Sequence, residues 1–428
     1  MSSVSRKSSR SSSSSSASSR SESSRSSQRT NRSRSESRSP SQPGYSSRSS
    51  FESRPASHQS LASTAEEAPR PSPTDGIRPR PAYAAAYQPH QVTANVSVPT
   101  KVGVHWGPAT SYSDVSRINA VADSLKQRGV GSVTVIVNSD NVERQQASIK
   151  AQLDRGIEPV IRLLPGNEYN KTMDQLSDSE MESMANAARK LQEMGVKLIQ
   201  LDNEPNHDEG GKQLFSKLEA RYSPNATPEQ RQEYEQTMDR YAANLARTMS
   251  LIEQRAPGMA VGFGAFAPGR PHQEEMFNDL VWRMKAQNDA SGGQLLSNAW
   301  LATHPYSIGA EGDGIALAEH WRDTAERVLG IPIQSLATEG GNPIRQNRAE
   351  KEQPSSDINL AQLRAVASTP NTTQNYWLIG DQVLTGSPEP GPWEMDSLVY
   401  LKEENGQLVQ KESIFFQNML KVAQGELD

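Results

Sequence analysis

The sequence contains no cysteine. This excludes disulfides, thiolate zinc sites, iron–sulfur clusters and a cysteine nucleophile. A membrane-spanning helix needs about 18 consecutive apolar residues, and no segment approaches that length, so we expect no membrane-spanning helix. The N-terminus also lacks an apolar h-region, so an ordinary cleavable signal peptide is not expected. We therefore expect either a cytoplasmic protein or one secreted without a cleavable signal peptide, because the lack of cysteine fits both compartments.

Hydrophobic residues make up only 34% of the 428-residue chain, and the deficit is concentrated in the first 100 residues. That segment holds 33 serines, and its 14 Lys and Arg against 6 Asp and Glu give a net charge of +8. The other 328 residues carry 31 basic and 44 acidic side chains, a net charge of −13. Nucleic-acid binding by this acidic body is disfavoured, so such contacts are expected only through the basic segment.

The first 100 residues are predicted to contain no packed domain. Residues 1–67 are rich in Ser and Arg and have too few apolar side chains to offset the entropy of ordering the backbone, so we predict a disordered tail. Residues 68–100 are rich in Pro and Ala and are predicted to form a semi-extended linker. Three interpretations of the tail stay open: a solvated segment without a specific partner, an address for export machinery, and an Arg/Ser segment that binds RNA or is phosphorylated. Its Ser-rich start resembles the N-termini of bacterial type III secreted effectors.

Residues 101–428 alternate short apolar runs of β type with amphipathic helical stretches. Eight runs have the length and composition of strands: 101–107, 132–138, 158–164, 198–204, 259–266, 299–306, 334–340 and 374–380. Helical patterns between them cover 113–128, 178–194, 228–255 and 314–329. Alternation of this kind predicts an α/β fold with a parallel sheet, and eight units predict a (β/α)8 TIM barrel with its main insertion at 205–257. An open doubly wound sheet is the alternative, although it would not normally carry polar residues at the ends of so many strands.

Polar side chains follow most of these predicted strands at their carboxyl ends. They are His105 and Trp106, Asn138 to Asp140, Asp202 to Asn206, His304 and Tyr306, Thr338 and Glu339, and Trp377 on the last strand. In a barrel, all strands end at one face, and the active site lies there. The pattern therefore predicts a functional site at the barrel mouth.

Glu204 and Glu339 are the predicted catalytic pair. Each directly follows an apolar run, on predicted strands 4 and 7, so the two carboxyl groups are expected to face each other across the mouth. Two such carboxyl groups suit glycoside hydrolysis, because one can donate a proton to the leaving oxygen while the other stays ionised and attacks the anomeric carbon. Each carboxylate alone could equally be structural, at a helix N-terminus or in a solvated loop.

These residues together resemble the clan A glycoside hydrolases, which are retaining (β/α)8 enzymes that cleave β-linked sugars. The resemblance rests on Asn203-Glu204-Pro205 after strand 4, Glu339 after strand 7, His304-x-Tyr306 after strand 6 and Trp377 on strand 8, and it spans the body but not the tail. It implies Glu204 as acid/base, Glu339 as nucleophile and an oligo- or polysaccharide substrate, with no cofactor and no metal.

The same resemblance implies roles for the surrounding residues. Asn203 is expected to bind the sugar 2-hydroxyl, Tyr306 to donate to Glu339, His304 to line the subsite and Trp377 to stack on a sugar face. His105, Trp106 and Trp393 are further expected substrate-binding residues, with packing at the barrel edge as the alternative for Trp393.

The sequence departs from the family at one position. Many members carry an Arg on strand 2 that supports the nucleophile, whereas strand 2 here, SVTVIVNSD, has none. Arg162 on strand 3 is either its substitute or a structural ion-pair residue. The missing Arg leaves a non-catalytic barrel that binds a glycan or a protein as the alternative function.

A glycine pattern in strand 5 matches a dinucleotide-binding fingerprint only superficially. Gly262-x-Gly264-x-x-Ala267 is followed by Pro268, Gly269 and Pro271 rather than by the helix that would hold a pyrophosphate. We therefore expect these glycines to allow close packing in strand 5 and its loop.

Overall fold

The computed structural model describes residues 102–107, 114–166, 171–207, 212–306, 314–344, 348–368, 372–379 and 397–427. Residues 212, 348, 367–368, 372–379, 401–403 and 408 are described by their backbone alone. All of these residues belong to one unit of the chain, 83–428. The predicted tail at 1–67 and linker at 68–100 lie outside the described residues.

Eight parallel strands form a closed barrel in chain order. They are β1 (Val102–Trp106), β2 (Ser132–Asn138), β3 (Glu158–Leu164), β4 (Leu198–Leu201), β5 (Ala260–Phe263), β6 (Ala299–Thr303), β7 (Ser335–Ala337) and β8 (Thr372–Ile379). β1 pairs with both β2 and β8, which closes the sheet. The predicted TIM barrel is thus confirmed.

Helices connect the strands and form the outer layer. They are α1 (Val115–Gln127), α2 (Gln146–Leu153), α3 (Asp178–Glu193), α4 (Lys212–Tyr222), α5 (Pro228–Arg255), α6 (Gln273–Ala290), α7 (Gly314–Leu329), α8 (Arg348–Ser368) and α9 (Ile414–Gln424). The predicted insertion between β4 and β5 holds two of them, α4 and α5. No helix in the described part of the chain is long and apolar enough to cross a membrane.

Local sequence signals set several helix starts. α3 begins with a capping box, in which Ser177 caps the backbone of Glu180 and the Glu180 side chain accepts from the Ser177 N–H. α5 repeats the device with Thr227 and Gln230 and adds Pro228 at its first position. These signals lie in the sequence itself, so the predicted starts of α3 and α5 agree with the structure.

The barrel has two hydrophobic layers because its strands are buried on both faces. The inner layer fills the barrel and contains Val160, Leu198, Ala260, Ala265, Trp300, Ala302 and Leu336. The outer layer lies between strands and helices and includes Val133, Val135 and Val137 of β2. Gly262 is required in the inner layer, since a Cβ built there would lie 2.3 Å from the Trp300 ring. The expected close packing in strand 5 is therefore present.

Strands β4 to β7 are shorter than the sequence predicts. The predicted strand 198–204 ends at Leu201, and strand 259–266 ends at Phe263. Asp202 and Glu204 have φ angles of 72° and 44°, and Gly264 has a φ of 85°. A left-handed backbone cannot continue the sheet ladder, so the polar residues lie on the loops directly after the strands.

A hairpin and a final helix, neither of which is predicted from the sequence, follow the barrel strands in the chain. β9 (Val399–Glu404) pairs with β10 (Gln407–Glu412) through Asn405 and Gly406, whose φ angles of 54° and 74° suit a tight hairpin turn. The buried side chain of Arg128, at the end of α1, donates to Glu412 at 2.8 Å and to the carbonyl of Phe416 at 3.0 Å. These bonds tie the first barrel helix to the hairpin and to α9.

Candidate active site

Glu204 lies three residues after β4 in a strained backbone conformation. Its φ of 44° is uncommon for a residue with a side chain, and such conformations persist where the surroundings enforce them. The Glu204 N–H donates to the carbonyl of Ala265 at 2.8 Å, which fixes the loop after β4 against the loop after β5. The Glu204 side chain keeps 18% of its surface exposed, so it faces the barrel mouth.

Glu339 lies two residues after β7 and is almost fully buried, at 3% exposure. One carboxylate oxygen, Oε1, pairs with the guanidinium of Arg162, which reaches it from β3. The other oxygen, Oε2, accepts a 2.6 Å hydrogen bond from the Tyr306 hydroxyl. The expected Tyr306 contact is therefore present, and of the two predicted alternatives for Arg162, a guanidinium that supports Glu339 is the one that its contact fits.

His304 lies between the two carboxylates. Its Nδ1 is 2.8 Å from Oε1 of Glu204 and 3.6 Å from Oε2 of Glu339. On the other side of the ring, Nε2 is 3.4 Å from Nη2 of Arg162. A guanidinium only donates hydrogen bonds, so Nε2 is assigned as the acceptor and Nδ1 as the nitrogen that carries a proton. His304 therefore donates to Glu204, and its complete burial keeps it from the exposed substrate surface where it was expected.

Glu204, His304 and Glu339 each bring one polar atom into a cluster in which these atoms lie within 4.8 Å of one another. The composition of the cluster resembles a set of metal ligands. However, Arg162 and Tyr306 already occupy the two oxygens of Glu339, and the Arg162 charge opposes a second cation at that place. The arrangement suits proton transfer and nucleophilic attack better than metal binding.

Charges around Glu339 keep it ionised. Burial alone would raise the pKa of its carboxyl group, but the charge of Arg162 and its other polar neighbours, including the hydroxyl of Tyr306, together outweigh burial and lower the pKa to about 2. Burial lowers the pKa of His105 to about 3, and the charge of Arg162 lowers it too. His105 is therefore a neutral ring beside Glu339 at any ordinary pH.

Asp202 is a buried acid, whereas the sequence pattern indicates only that it belongs to a polar strand end. Burial raises its pKa to about 7, against the opposing effect of the Asn203 N–H, which donates to its Oδ1 at 2.7 Å. Among the described residues, its Oδ2 has no hydrogen-bond partner. Nothing in the residue pattern indicates this burial, which depends on the left-handed turn at the end of β4.

The remaining predicted substrate-binding residues do not all lie at the barrel mouth. Asn203 is half-buried next to Glu204, and within the described part of the chain its Oδ1 has no hydrogen-bond partner. His105 and Trp106 are both buried, and Trp106 packs in the outer layer towards the helices, away from the mouth. Trp377 lies on β8, but its side chain is outside the described residues, as is all of Trp393.

No family model and no curated protein matches this sequence. Solved structures of glycosidases match its fold. A glucosidase from Croceicoccus marinus aligns with a TM-score of 0.50 and 11% identity over 75% of this chain and 66% of that one. A family 1 β-glucosidase from Thermotoga maritima gives a TM-score of 0.46 and 12% identity over 76% of this chain and 98% of that one. The barrel is therefore a fold that this chain shares with the glucosidase from Croceicoccus marinus.

Proposed function

We propose that the protein is a retaining β-glycoside hydrolase in which Glu204 is the acid/base and Glu339 is the nucleophile. The proposal is carried by two carboxylates in unequal surroundings, with one oxygen of Glu204 within 4.8 Å of one oxygen of Glu339. Retaining pairs are about 5–5.5 Å apart, whereas inverting pairs are about 6.5–9.5 Å apart because a water must fit between them and the sugar. The short spacing supports the retaining, double-displacement mechanism.

The first step forms a covalent glycosyl-enzyme. A Glu339 oxygen attacks the anomeric carbon and forms an ester bond as the glycosidic C–O bond breaks, and the proton of Glu204 goes to the leaving oxygen. In the second step, a water attacks the same carbon and gives a proton to Glu204, while the ester bond breaks and Glu339 regains its charge. The two inversions leave the product with the configuration of the substrate.

The neighbouring groups support these two roles. Arg162 and Tyr306 keep Glu339 ionised and oriented for attack. His304 donates to Oε1 of Glu204, so the transferable proton belongs on Oε2, the oxygen that His304 does not contact. The Oδ1 of Asn203 lies next to the acid/base and has no hydrogen-bond partner among the residues that the structure describes, so it suits a hydroxyl of the sugar.

The substrate class follows from the same chemistry. We propose an oligo- or polysaccharide with a β-linked bond, in line with the glucosidase of similar fold. The non-catalytic alternative depended on the missing strand-2 Arg. Since Arg162 brings a guanidinium to Glu339 from β3, that reason for the alternative no longer applies.

Variants of the two carboxylates test the proposal. Glu339→Gln should lower turnover of an activated aryl β-glycoside by several powers of ten. Glu204→Gln should lower turnover less on substrates with good leaving groups than on substrates with poor ones. Glu193→Gln is the matched control, because Glu193 is exposed at the end of α3 and pairs only with Arg189 among the described residues. Equal activity in Glu339→Gln and Glu193→Gln would contradict the proposal.

The stereochemistry and the covalent intermediate are tested separately. A chromogenic glycoside panel identifies a substrate, and proton NMR then follows the anomer released first, which should be β. A 2-deoxy-2-fluoro analogue of that substrate should label Glu339, as peptide mass spectrometry would show. Release of the α-anomer, or labelling of another residue, would contradict the double-displacement mechanism.

A further inference from the structure

Asn206 joins the two loops that carry the acid/base side of the site. It lies two residues after Glu204 and is completely buried. Its Nδ2 donates to the carbonyl of Ala267 at 2.8 Å, and its Oδ1 accepts from the N–H of the same residue at 2.8 Å. The side-chain amide thus makes with Ala267 the pair of bonds that one residue of an antiparallel strand makes with its partner.

These bonds continue the connection between β4 and β5 beyond the end of the sheet. The last residues of the two strands in register are Gln200 and Gly262. Above them, Glu204 donates its N–H to the carbonyl of Ala265 at 2.8 Å, and the Asn206 amide then makes its two bonds to the loop after β5. Glu204 is held from both sides, by its own backbone and by a residue two positions later.

We propose that Asn206 is a positioning residue for Glu204, an inference that rests on the proposed glycosidase function. The amide fixes the left-handed turn, with its φ of 44° at Glu204, so that Oε1 meets Nδ1 of His304 and the carboxyl group faces Glu339. Without the amide, the loop after β4 keeps only one backbone bond to the loop after β5 among those that the structure describes. The Glu204 backbone then relaxes towards ordinary angles, which turns its carboxyl group away from the leaving oxygen.

Stability alone is the competing explanation, because loss of any buried amide leaves unpaired polar groups. Asn288 provides the matched control. It is also buried and its Oδ1 accepts from the N–H of Leu296 at 3.0 Å, but it lies near the end of α6, before β6, at the barrel end opposite the site. Asn206→Ala and Asn288→Ala therefore remove comparable amides at the two ends of one barrel.

The first measurement is the dependence of kcat on the leaving group. Asn206→Ala should lower kcat on aryl glycosides with poor leaving groups by about 10–100-fold, with little change in KM, and the loss should shrink as the phenol becomes more acidic. Asn288→Ala should show no such dependence. A loss in Asn206→Ala that is uniform across leaving groups, or matched by Asn288→Ala, would overturn the positioning role.

The second measurement does not need activity. In imidazole-labelled protein, the His304 nitrogen resonances, assigned by their loss in His304→Gln, report the hydrogen bond to Glu204. They should move in Asn206→Ala and stay in place in Asn288→Ala, and unmoved resonances in both variants would refute the proposal. If the wild type hydrolyses no glycoside of the panel, the proposed function fails, while a shift in Asn206→Ala alone still supports the positioning of Glu204.

Discussion

Replacement of Asp202 by Asn is expected to stabilise the protein at neutral and alkaline pH. Burial raises the pKa of Asp202 from 3.8 to about 7, and the charge of Asp174 raises it too. The folded state therefore holds a proton that the unfolded chain releases near pH 3.8, so the stability from this group is complete below that pH and is lost as the pH rises to about 7. A difference of about 3 pKa units at about 1.36 kcal/mol per unit makes the total loss about 4 kcal/mol.

Asn is the suitable replacement because it removes the charge and keeps the local structure. Its side-chain oxygen still accepts from the Asn203 N–H, and Asn tolerates the positive φ of 72° at this position. Urea unfolding of both proteins at pH 4 and pH 8 gives the free energies of unfolding. The advantage of Asp202→Asn should grow by about 4 kcal/mol between the two pH values.

An exposed aspartate gives a control of opposite sign. Hydrogen bonding by Arg155 lowers the pKa of Asp123, so this group contributes stability above its unfolded pKa and loses it as the pH falls. Asp123→Asn should therefore lower the free energy of unfolding more at pH 8 than at pH 4. The difference should be small, because both ends of the ion pair are near solvent. An advantage of Asp202→Asn that is equal at pH 4 and pH 8 would refute the burial argument.

Two further predictions concern the barrel interior. Arg162→Met should move the acidic limb of the kcat/KM profile to higher pH, because burial then raises the pKa of Glu339 without the opposing charge. The pH profile of Arg162→Lys, which keeps the charge, is the control. An acidic limb that does not move in Arg162→Met would contradict the prediction. Gly262→Ala should destabilise the fold by about 1–3 kcal/mol, because the added Cβ overlaps the Trp300 ring. The penalty should shrink in a Trp300→Leu background, and denaturant unfolding of the four proteins of this double-mutant cycle checks it, with an unchanged penalty as the contrary result.

The fold and the carboxylate pair were predictable because they depend on patterns local to the chain. β2 and β3 agree with their predicted bounds because continuous apolar runs mark parallel strands that are buried on both faces. Glu204 and Glu339 could be paired from a distance because the carboxyl ends of parallel strands share one face of a barrel. The β9–β10 hairpin was not predicted, although Asn405-Gly406 between two β-type runs is a signal for a hairpin turn.

The chemistry around the pair depends on three-dimensional features that no local pattern carries. Whether Arg162 points into the barrel follows from its register beside Gln200, not from the residues around it. The orientation of the His304 ring depends on partners that lie 142 and 100 residues away along the chain. The burial of Asp202 depends on a left-handed turn that aspartate tolerates but does not require.

Arg162 explains how the site keeps a guanidinium at Glu339 without an Arg on strand 2. Ile136 of β2 is the residue in register with Arg162 of β3, so the two side chains leave the sheet on the same face about 4.8 Å apart. We therefore expect an arginine from either strand to reach the same carboxylate. The exchange Arg162→Ile with Ile136→Arg should therefore restore the low-pH limb of activity that Arg162→Ile alone loses, and pH profiles of the single and double variants measure it. If the double variant behaves like Arg162→Ile, then the second contact of Arg162, with His304, requires the guanidinium to come from β3 and not merely to be present.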